Sequence, residues 1–189
     1  MRIISGSIKG KKLFKPNDIL TRPLKDIVKE SIFNLIKHSN KFEFNIENTR
    51  VLDLFSGVGS FGLECLSRGS SYVTFVENYK EALKVLKKNI DHCNFKNKTT
   101  IIEKDIFTYD LKNLANKKFD LIYLDPPFKK KIKKLVDNIL DQNLLIENGF
   151  IIIHRHKNEQ EILSKSFNLI EERVYGNSKI IFGNYFLDK

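Results

Sequence analysis

Asp125-Pro126-Pro127-Phe128 places a carboxylate, a proline-stiffened backbone and an aromatic ring side by side in the chain. That combination suits the exocyclic amine of a nucleic-acid base. Such an amine is a poor nucleophile because its lone pair is conjugated into the ring. An enzyme that alkylates it must hold it in line with the leaving group and accept its hydrogens as the nitrogen becomes tetrahedral. The Asp125 carboxylate and the Pro126 carbonyl supply two acceptors in a rigid frame. Phe128 offers a face on which an extruded base can stack. Taken alone, the same residues also describe a stiff loop after a strand.

A second constellation narrows the choice. Asp53-Leu54-Phe55-Ser56-Gly57-Val58-Gly59-Ser60-Phe61-Gly62 follows an apolar run and enters a helical pattern. Glycines there let the backbone turn sharply and approach a ligand closely. Glu77, Asp105 and Asp125 each stand at or just after a further apolar run. A carboxylate at Glu77 can accept hydrogen bonds from both hydroxyls of a ribose. That step does not separate a nicotinamide dinucleotide from S-adenosylmethionine. Asp105 is placed to receive an adenine amine. Asp53 favours a cationic sulfonium or ammonium, which a phosphate-binding turn would not want. Four acids at four successive strand ends would share one cleft, which is harder to explain as solvated loop acids than any one of them.

These residues need a scaffold. Apolar runs at 51–55, 72–77, 99–103, 119–125 and 150–153 alternate with helical patterns at 60–68, 79–92, 108–115 and 131–142. Continuous apolar strands separated by helices predict a parallel sheet covered on both faces. Right-handed crossovers make it a doubly wound, Rossmann-like α/β sandwich. The runs 167–175 and 179–187 flank Gly176-Asn177-Ser178 and predict an antiparallel hairpin that completes a seven-stranded, mostly parallel sheet. Residues 1–45 read as a separate basic extension, a loose hairpin over 2–14 and a helix opened by Pro23, and residues 46–189 as the catalytic domain.

The net charge of +10 favours a polyanionic partner. Lys, Asn, Ile and Phe are abundant, as AT-rich codons produce, so charge alone decides little. Its placement decides more. Arg2, Lys9, Lys11, Lys12, Lys15, Arg22 and Lys25 form one block, and Lys129, Lys130, Lys131, Lys133 and Lys134 a second. No run approaches the roughly 18 apolar residues of a membrane span, and Met1 to Gly6 lack a signal-peptide apolar region. Cys65 and Cys93 have no metal-ligand partners nearby and read as small buried hydrophobes. The expectation is a cytoplasmic monomer without metal.

The chain resembles the bacterial 16S rRNA guanine-N2 methyltransferases that modify the small ribosomal subunit. The resemblance rests on Arg2-Ile3-Ile4-Ser5-Gly6 with Gly10-Lys11-Lys12-Leu13, and on Thr21-Arg22-Pro23 followed by Glu30-Ser31-Ile32-Phe33-Asn34. It continues through Leu52 to Gly57, Gly62-Leu63-Glu64, Val76-Glu77 and Leu124 to Phe128. The glycine turn and proline motif are shared by many amino-methyltransferases, and the N-terminal segments narrow the match. The resemblance implies a class I methyltransferase fold, S-adenosylmethionine as donor, and a guanine of 16S rRNA in the small subunit or its assembly intermediate as target. It assigns the cofactor to Asp53, Ser56, Gly57, Gly59, Glu77 and Asp105, with Phe55, Asn78 and Ile106 beside them. Catalysis falls to Asp125, Pro126 and Phe128, and RNA contact to Arg2, Lys9, Lys11, Lys12, Arg22, Lys129 and Lys130.

Three rival functions fit parts of the same pattern. A DNA adenine-N6 methyltransferase would need the same motif, although this chain has little room for a separate target-recognition domain. A protein methyltransferase could carry a similar motif, and a non-catalytic RNA-binding assembly factor could keep the fold alone. One departure from the family stands out. His154-Arg155-His156 replaces an expected acid after the fifth strand, and this run alters contacts to the base, adds positive charge near RNA, or is simply a solvated basic turn.

Overall fold

The structure is a computed structural model that describes residues 1–16, 24–41, 44–160 and 162–185. Seven strands form one sheet: β1 (Arg50–Leu54), β2 (Tyr72–Val76), β3 (Thr99–Ile102), β4 (Phe119–Leu124), β5 (Leu145–His156), β6 (Phe167–Tyr175) and β7 (Ser178–Tyr185). Their order is β3-β2-β1-β4-β5-β7-β6. The first five are parallel, and β7 pairs antiparallel with both β5 and β6. The doubly wound sheet with its terminal hairpin is therefore present as the sequence predicts. β1 lies between β2 and β4, so the strand order reverses there, and ligands of open α/β sheets bind outside such a reversal.

The apolar runs are continuous because both faces of the sheet are covered. Side chains alternate across the sheet. Val51, Val73, Phe75, Leu121, Tyr123 and Ile152 belong to one buried cluster, and Leu52, Leu54, Val76, Ile122, Leu124 and Ile153 to the other. Helices α1 (Asp26–His38), α2 (Ser60–Ser67) and α3 (Lys80–His92) contribute to the first cluster, and α4 (Lys133–Asp141) to the second. Ile3, Leu13, Val28, Ile32 and Phe33 of the N-terminal segment are buried in the same cluster as β1 and β2. Cys65 and Cys93 are buried free thiols, and burial pushes both thiol pKa values up.

Three local features differ from the expected elements. The stretch at 108–115 is a short 3-10 turn over Leu111–Leu114, with Asp110 accepting from the Lys112 N–H. The N-terminal hairpin is a single antiparallel bridge between Arg2 and Lys12, supported by Ile3 N–H to Lys11 and Gly10 N–H to Ile3. Gly6 is required in that loop. Its φ is +87° and a Cβ there would lie 1.8 Å from the Ser67 carbonyl oxygen. Third, β5 is far longer than the run 150–153. It starts beyond an irregularity opposite Phe119–Leu121 and carries on through His154, Arg155 and His156, which pair with Ile180, Lys179 and Ser178 of β7.

Candidate active site

The carboxyl ends of β1, β2 and β4 are drawn together by backbone hydrogen bonds that extend past the strands. Ser56 donates to the Val76 carbonyl, Glu77 to that of Ile102 and Asp125 to that of Leu54. The loops carrying the glycine turn, Glu77 and Asp125 consequently leave the sheet side by side. Within the turn, Phe55, Gly57 and Gly59 all have positive φ, at 60°, 54° and 82°. For Phe55 this is a costly backbone state, of the kind found at ligand sites. At Gly59 any side chain is strained by the φ of +82°, and a Cβ would also lie 2.5 Å from Leu86 Cδ1. Gly59 leads directly into α2.

Glu77 organises this turn. Its Oε2 accepts from the Gly57 N–H at 2.7 Å, and its Oε1 accepts from the N–H groups of Asn78 and Tyr79 at 2.9 and 2.8 Å. Beside it, Phe55, Val76, Glu77, Asn78, Asp105 and Ile106 line a small crevice. Asp105 Oδ1 accepts from the Phe107 N–H, and the Phe107 ring stands 5.3 Å from that of Phe55. The crevice has one carboxylate on the β2 side, one on the β3 side with Lys104 beside it, and apolar walls from Phe55, Val76 and Ile106.

Asp53 sits deeper. It is 1% exposed, and its Oδ2 accepts from the Gly62 N–H in the first turn of α2 at 3.0 Å. Burial pushes its carboxyl well above the usual carboxylate range, against the pull of the Gly62 bond, and nearby Asp125 and Glu77 add to the rise. Asp53 Oδ1 and Ser56 Oγ are both buried without a hydrogen-bond partner among the described residues. Buried polar atoms are nearly always paired, so both atoms at this glycine turn can take a donor that the described residues do not supply.

Asp125 is the reactive-looking acid. Its side chain is 21% exposed. Oδ1 lies 2.9 Å from His154 Nδ1, and Oδ2 lies 3.5 Å from the buried Tyr123 hydroxyl. Burial raises the Tyr123 phenol well above its usual range, with Asp125 adding to the effect, so Tyr123 is held as a hydrogen-bond donor. Its ring stacks on Phe61 of α2, with centroids 3.9 Å apart. Pro126 is buried, while Pro127 is exposed and Phe128 half-buried. The Phe128 ring meets His154 and His156 edge-on, at 5.8 and 5.5 Å.

Of the readings open for 154–156, a solvated basic turn is not what forms there. These residues are the end of β5. Arg155 is 2% exposed and donates to the carbonyls of Phe128 and Lys130 at 2.9 and 3.0 Å, with Pro127 at 3.5 Å. It ties down the loop that follows Asp125. Sequence reasoning missed this role because the carbonyls it meets carry no sequence signal, and only the length of β5 could have hinted at burial. Hydrogen bonds from a charged donor contribute about 1.5–3 kcal/mol each. Arg155→Met is therefore expected to raise amide hydrogen exchange across residues 128–131 by about tenfold or more with the rest of the sheet still protected. Unchanged exchange would mean that the loop is held by other contacts.

The expected cofactor residues Asp53, Phe55, Ser56, Gly57, Gly59, Glu77, Asn78, Asp105 and Ile106 thus lie along neighbouring strand ends, next to Asp125, Pro126 and Phe128. Of the expected RNA contacts, Arg2 and Lys12 face each other across the N-terminal bridge. Arg2, Lys9, Lys12, Lys129 and Lys130 are exposed, Lys11 is half-buried, and Arg22 falls outside the described residues.

Known proteins share the fold. The family model described as conserved hypothetical protein 95 matches residues 1–184. The ribosomal RNA small subunit methyltransferase D of Buchnera aphidicola is 34% identical over 91% of this chain and 86% of its own. A crystal structure from Haemophilus influenzae, described as a methylase, is 30% identical with a TM-score of 0.76, covering 97% of this chain and 98% of that one. An RNA methyltransferase from Salinibacter ruber, solved with S-adenosyl-L-homocysteine, shares the fold with a TM-score of 0.62 at 13% identity, covering 85% of this chain and 92% of that one.

Proposed function

This chain belongs to the family described as conserved hypothetical protein 95, and on that premise we propose that it transfers a methyl group from S-adenosylmethionine to the exocyclic N2 amine of a guanine in small-subunit ribosomal RNA. The supporting relative is named for small-subunit ribosomal RNA methylation. The observation that carries the chemistry is the pairing of two orphaned buried groups, Asp53 Oδ1 and Ser56 Oγ, with the accessible carboxylate of Asp125 at neighbouring strand ends.

The residues fit the donor. Glu77 keeps one acceptor position, on Oε2, for a ribose hydroxyl, Asp105 and Ile106 border the crevice where a purine would lie, and Asp53 and Ser56 suit a cationic amino-acid end. When bound, S-adenosylmethionine supplies a methyl group on a positively charged sulfur. Asp125 and the Pro126 carbonyl receive the hydrogens of the base amine and hold its lone pair in line. Phe128 stacks against the base turned out of its helix. As the nitrogen gains the methyl group it loses one proton, which Asp125 Oδ2 or solvent accepts. No covalent bond to the protein is formed. The exposed basic residues of the N-terminal loop and Lys129 and Lys130 lie where phosphates of a structured RNA can be met.

Asp53 supplies a test that separates stability from binding. A carboxyl whose pKa is raised by folding adds stability below its unfolded range. That stability is lost as pH rises through the raised value. The ligand-free protein therefore carries a buried acid that is unfavourable to ionise at neutral pH, and a cation beside it reverses the sign. Asp53→Asn is expected to raise the thermal midpoint of the ligand-free protein at pH 7–8. It should also weaken donor binding by about 10–100-fold, the loss of one hydrogen bond to a charged group. Calorimetry and thermal melts read both. Undiminished donor affinity in this variant would remove Asp53 from the cofactor site.

The reaction itself is tested by incubating the protein and labelled donor with unmodified small ribosomal subunits or with duplex DNA, then digesting to nucleosides. Label in N2-methylguanine from the subunits is expected. Label on DNA adenine, with none on RNA, would replace this reading by the DNA one.

A further inference from the structure

Resting on the proposed function for its catalytic meaning, we infer that His154 is a positioning residue for Asp125, and that Ser178 fixes the ring in the tautomer that does so. His154 is 7% exposed at the end of β5, and both of its ring nitrogens are engaged. Nδ1 lies 2.9 Å from Asp125 Oδ1, and Nε2 lies 2.8 Å from Ser178 Oγ at the start of β7. A lone pair on Nδ1 would face the lone pairs of the carboxylate, so Nδ1 carries the hydrogen and donates it. In the neutral form of the ring Nε2 is then the acceptor, and the Ser178 hydroxyl, which can turn either way, donates to it. The hydrogens are assigned from this network.

The consequence falls on the carboxylate. Oδ1 is tied by His154 on the β5 side, and among the described residues Oδ2 keeps only the long contact from Tyr123 at 3.5 Å. Asp125 is prevented from rotating, and one oxygen is left for the amine. The ring also meets Phe128 edge-on at 5.8 Å and 90°, so one side chain braces both the acceptor and the stacking platform. Antiparallel pairing of β5 with β7 brings Ser178 into reach, since His156 and Ser178 are register partners and His154 stands one turn of the pleat away. This arrangement requires an N–H donor at position 154. An acid at 154 would face Asp125 with like charge.

The experiment has two arms on the full chain. The first needs no activity: long-range nitrogen–proton NMR of the histidine side chains, with His154 assigned from His154→Asn, should show the Nδ1–H form. Ser178→Ala should shift it toward a mixture. An Nε2–H form in the wild-type protein overturns the inference. The second measures methyl transfer to unmodified small subunits. His154→Ala should lower kcat by about 10–100-fold, as misplacement of a reacting group does, with KM for donor and RNA within about twofold. His154→Asn, whose side-chain N–H falls where Nδ1 stood, should restore most of the loss, and His154→Phe, which fills the space without a donor, should not. Restoration by Phe and not by Asn would make His154 a packing residue and overturn the inference. An inactive wild-type protein on every RNA would sink the ribosomal reading and leave the tautomer arm to decide this one.

Discussion

Asp125→Ala is expected to lower methyl transfer by about 10²–10³-fold, the usual cost of removing one preorganised partner of the developing charge. Donor binding should survive. The separation follows from geometry. The groups proposed to face the donor belong to β1, β2 and the crevice before β4, whereas Asp125 lies on the side of β5 with its Oδ1 on His154. Asp125→Asn keeps one acceptor oxygen and the backbone frame of Pro126 and Arg155, and should fall between wild type and alanine. Single-turnover assays give the rate, calorimetry gives donor affinity, and a thermal melt controls for the loss of a partner for His154. Near-wild-type turnover in Asp125→Ala would eliminate the carboxylate from catalysis and with it the proposed mechanism.

Glu64→Ala has the largest expected effect on stability. Glu64 and Lys29 are both wholly buried. Glu64 accepts from the backbone N–H groups of Ile4 and Ser5 at 2.7 and 3.0 Å and from Arg68 Nε at 2.8 Å. Lys29 Nζ stands 3.5 Å from Glu64 and donates to the Arg2 carbonyl at 2.7 Å and to Ser60 Oγ at 3.3 Å. Burial pulls the Lys29 ammonium below its usual range, and Glu64 is the main group opposing that pull. Removing one partner of a buried pair costs about 3–5 kcal/mol, because the other charge remains in the interior. For a chain of this length, the thermal midpoint should fall by about 2–4 °C for each kcal/mol lost. The double variant Lys29→Met with Glu64→Gln, which removes both charges, should lose less than Glu64→Ala alone. If the single variant melts with wild type, the pair is not what fastens residues 2–5 to α2.

Both predictions rest on features of different legibility. Val51–Leu54, Tyr72–Val76 and Phe119–Leu124 are legible because parallel strands buried on two faces must be apolar throughout. Asp53, the glycine turn and Glu77 are legible because backbone turns and carboxylates leave a local trace. Lys29 leaves no such trace. It sits in a helix whose charged residues ordinarily face water, and its burial depends on Glu64, far along the chain. The same holds for Arg155. A His-Arg-His run looks solvated until β7 lies along it and the loop after Asp125 folds back to offer its carbonyls. Long-range polar pairs have no period in sequence, whereas strands and turns do. The short 3-10 turn at Leu111–Leu114 resembles an α-helix in sequence for a related reason, since two apolar residues three apart suit either geometry.

The guanine assignment is tested most directly by mapping methyl groups across 16S rRNA by mass spectrometry, from cells with and without this chain. The expected result is the loss of N2-methylation at one guanine on deletion, and its return when wild-type protein, but not Asp125→Ala, is supplied. An unchanged guanine map, or the loss of a methyl group from adenine instead, would contradict N2 methylation of small-subunit RNA.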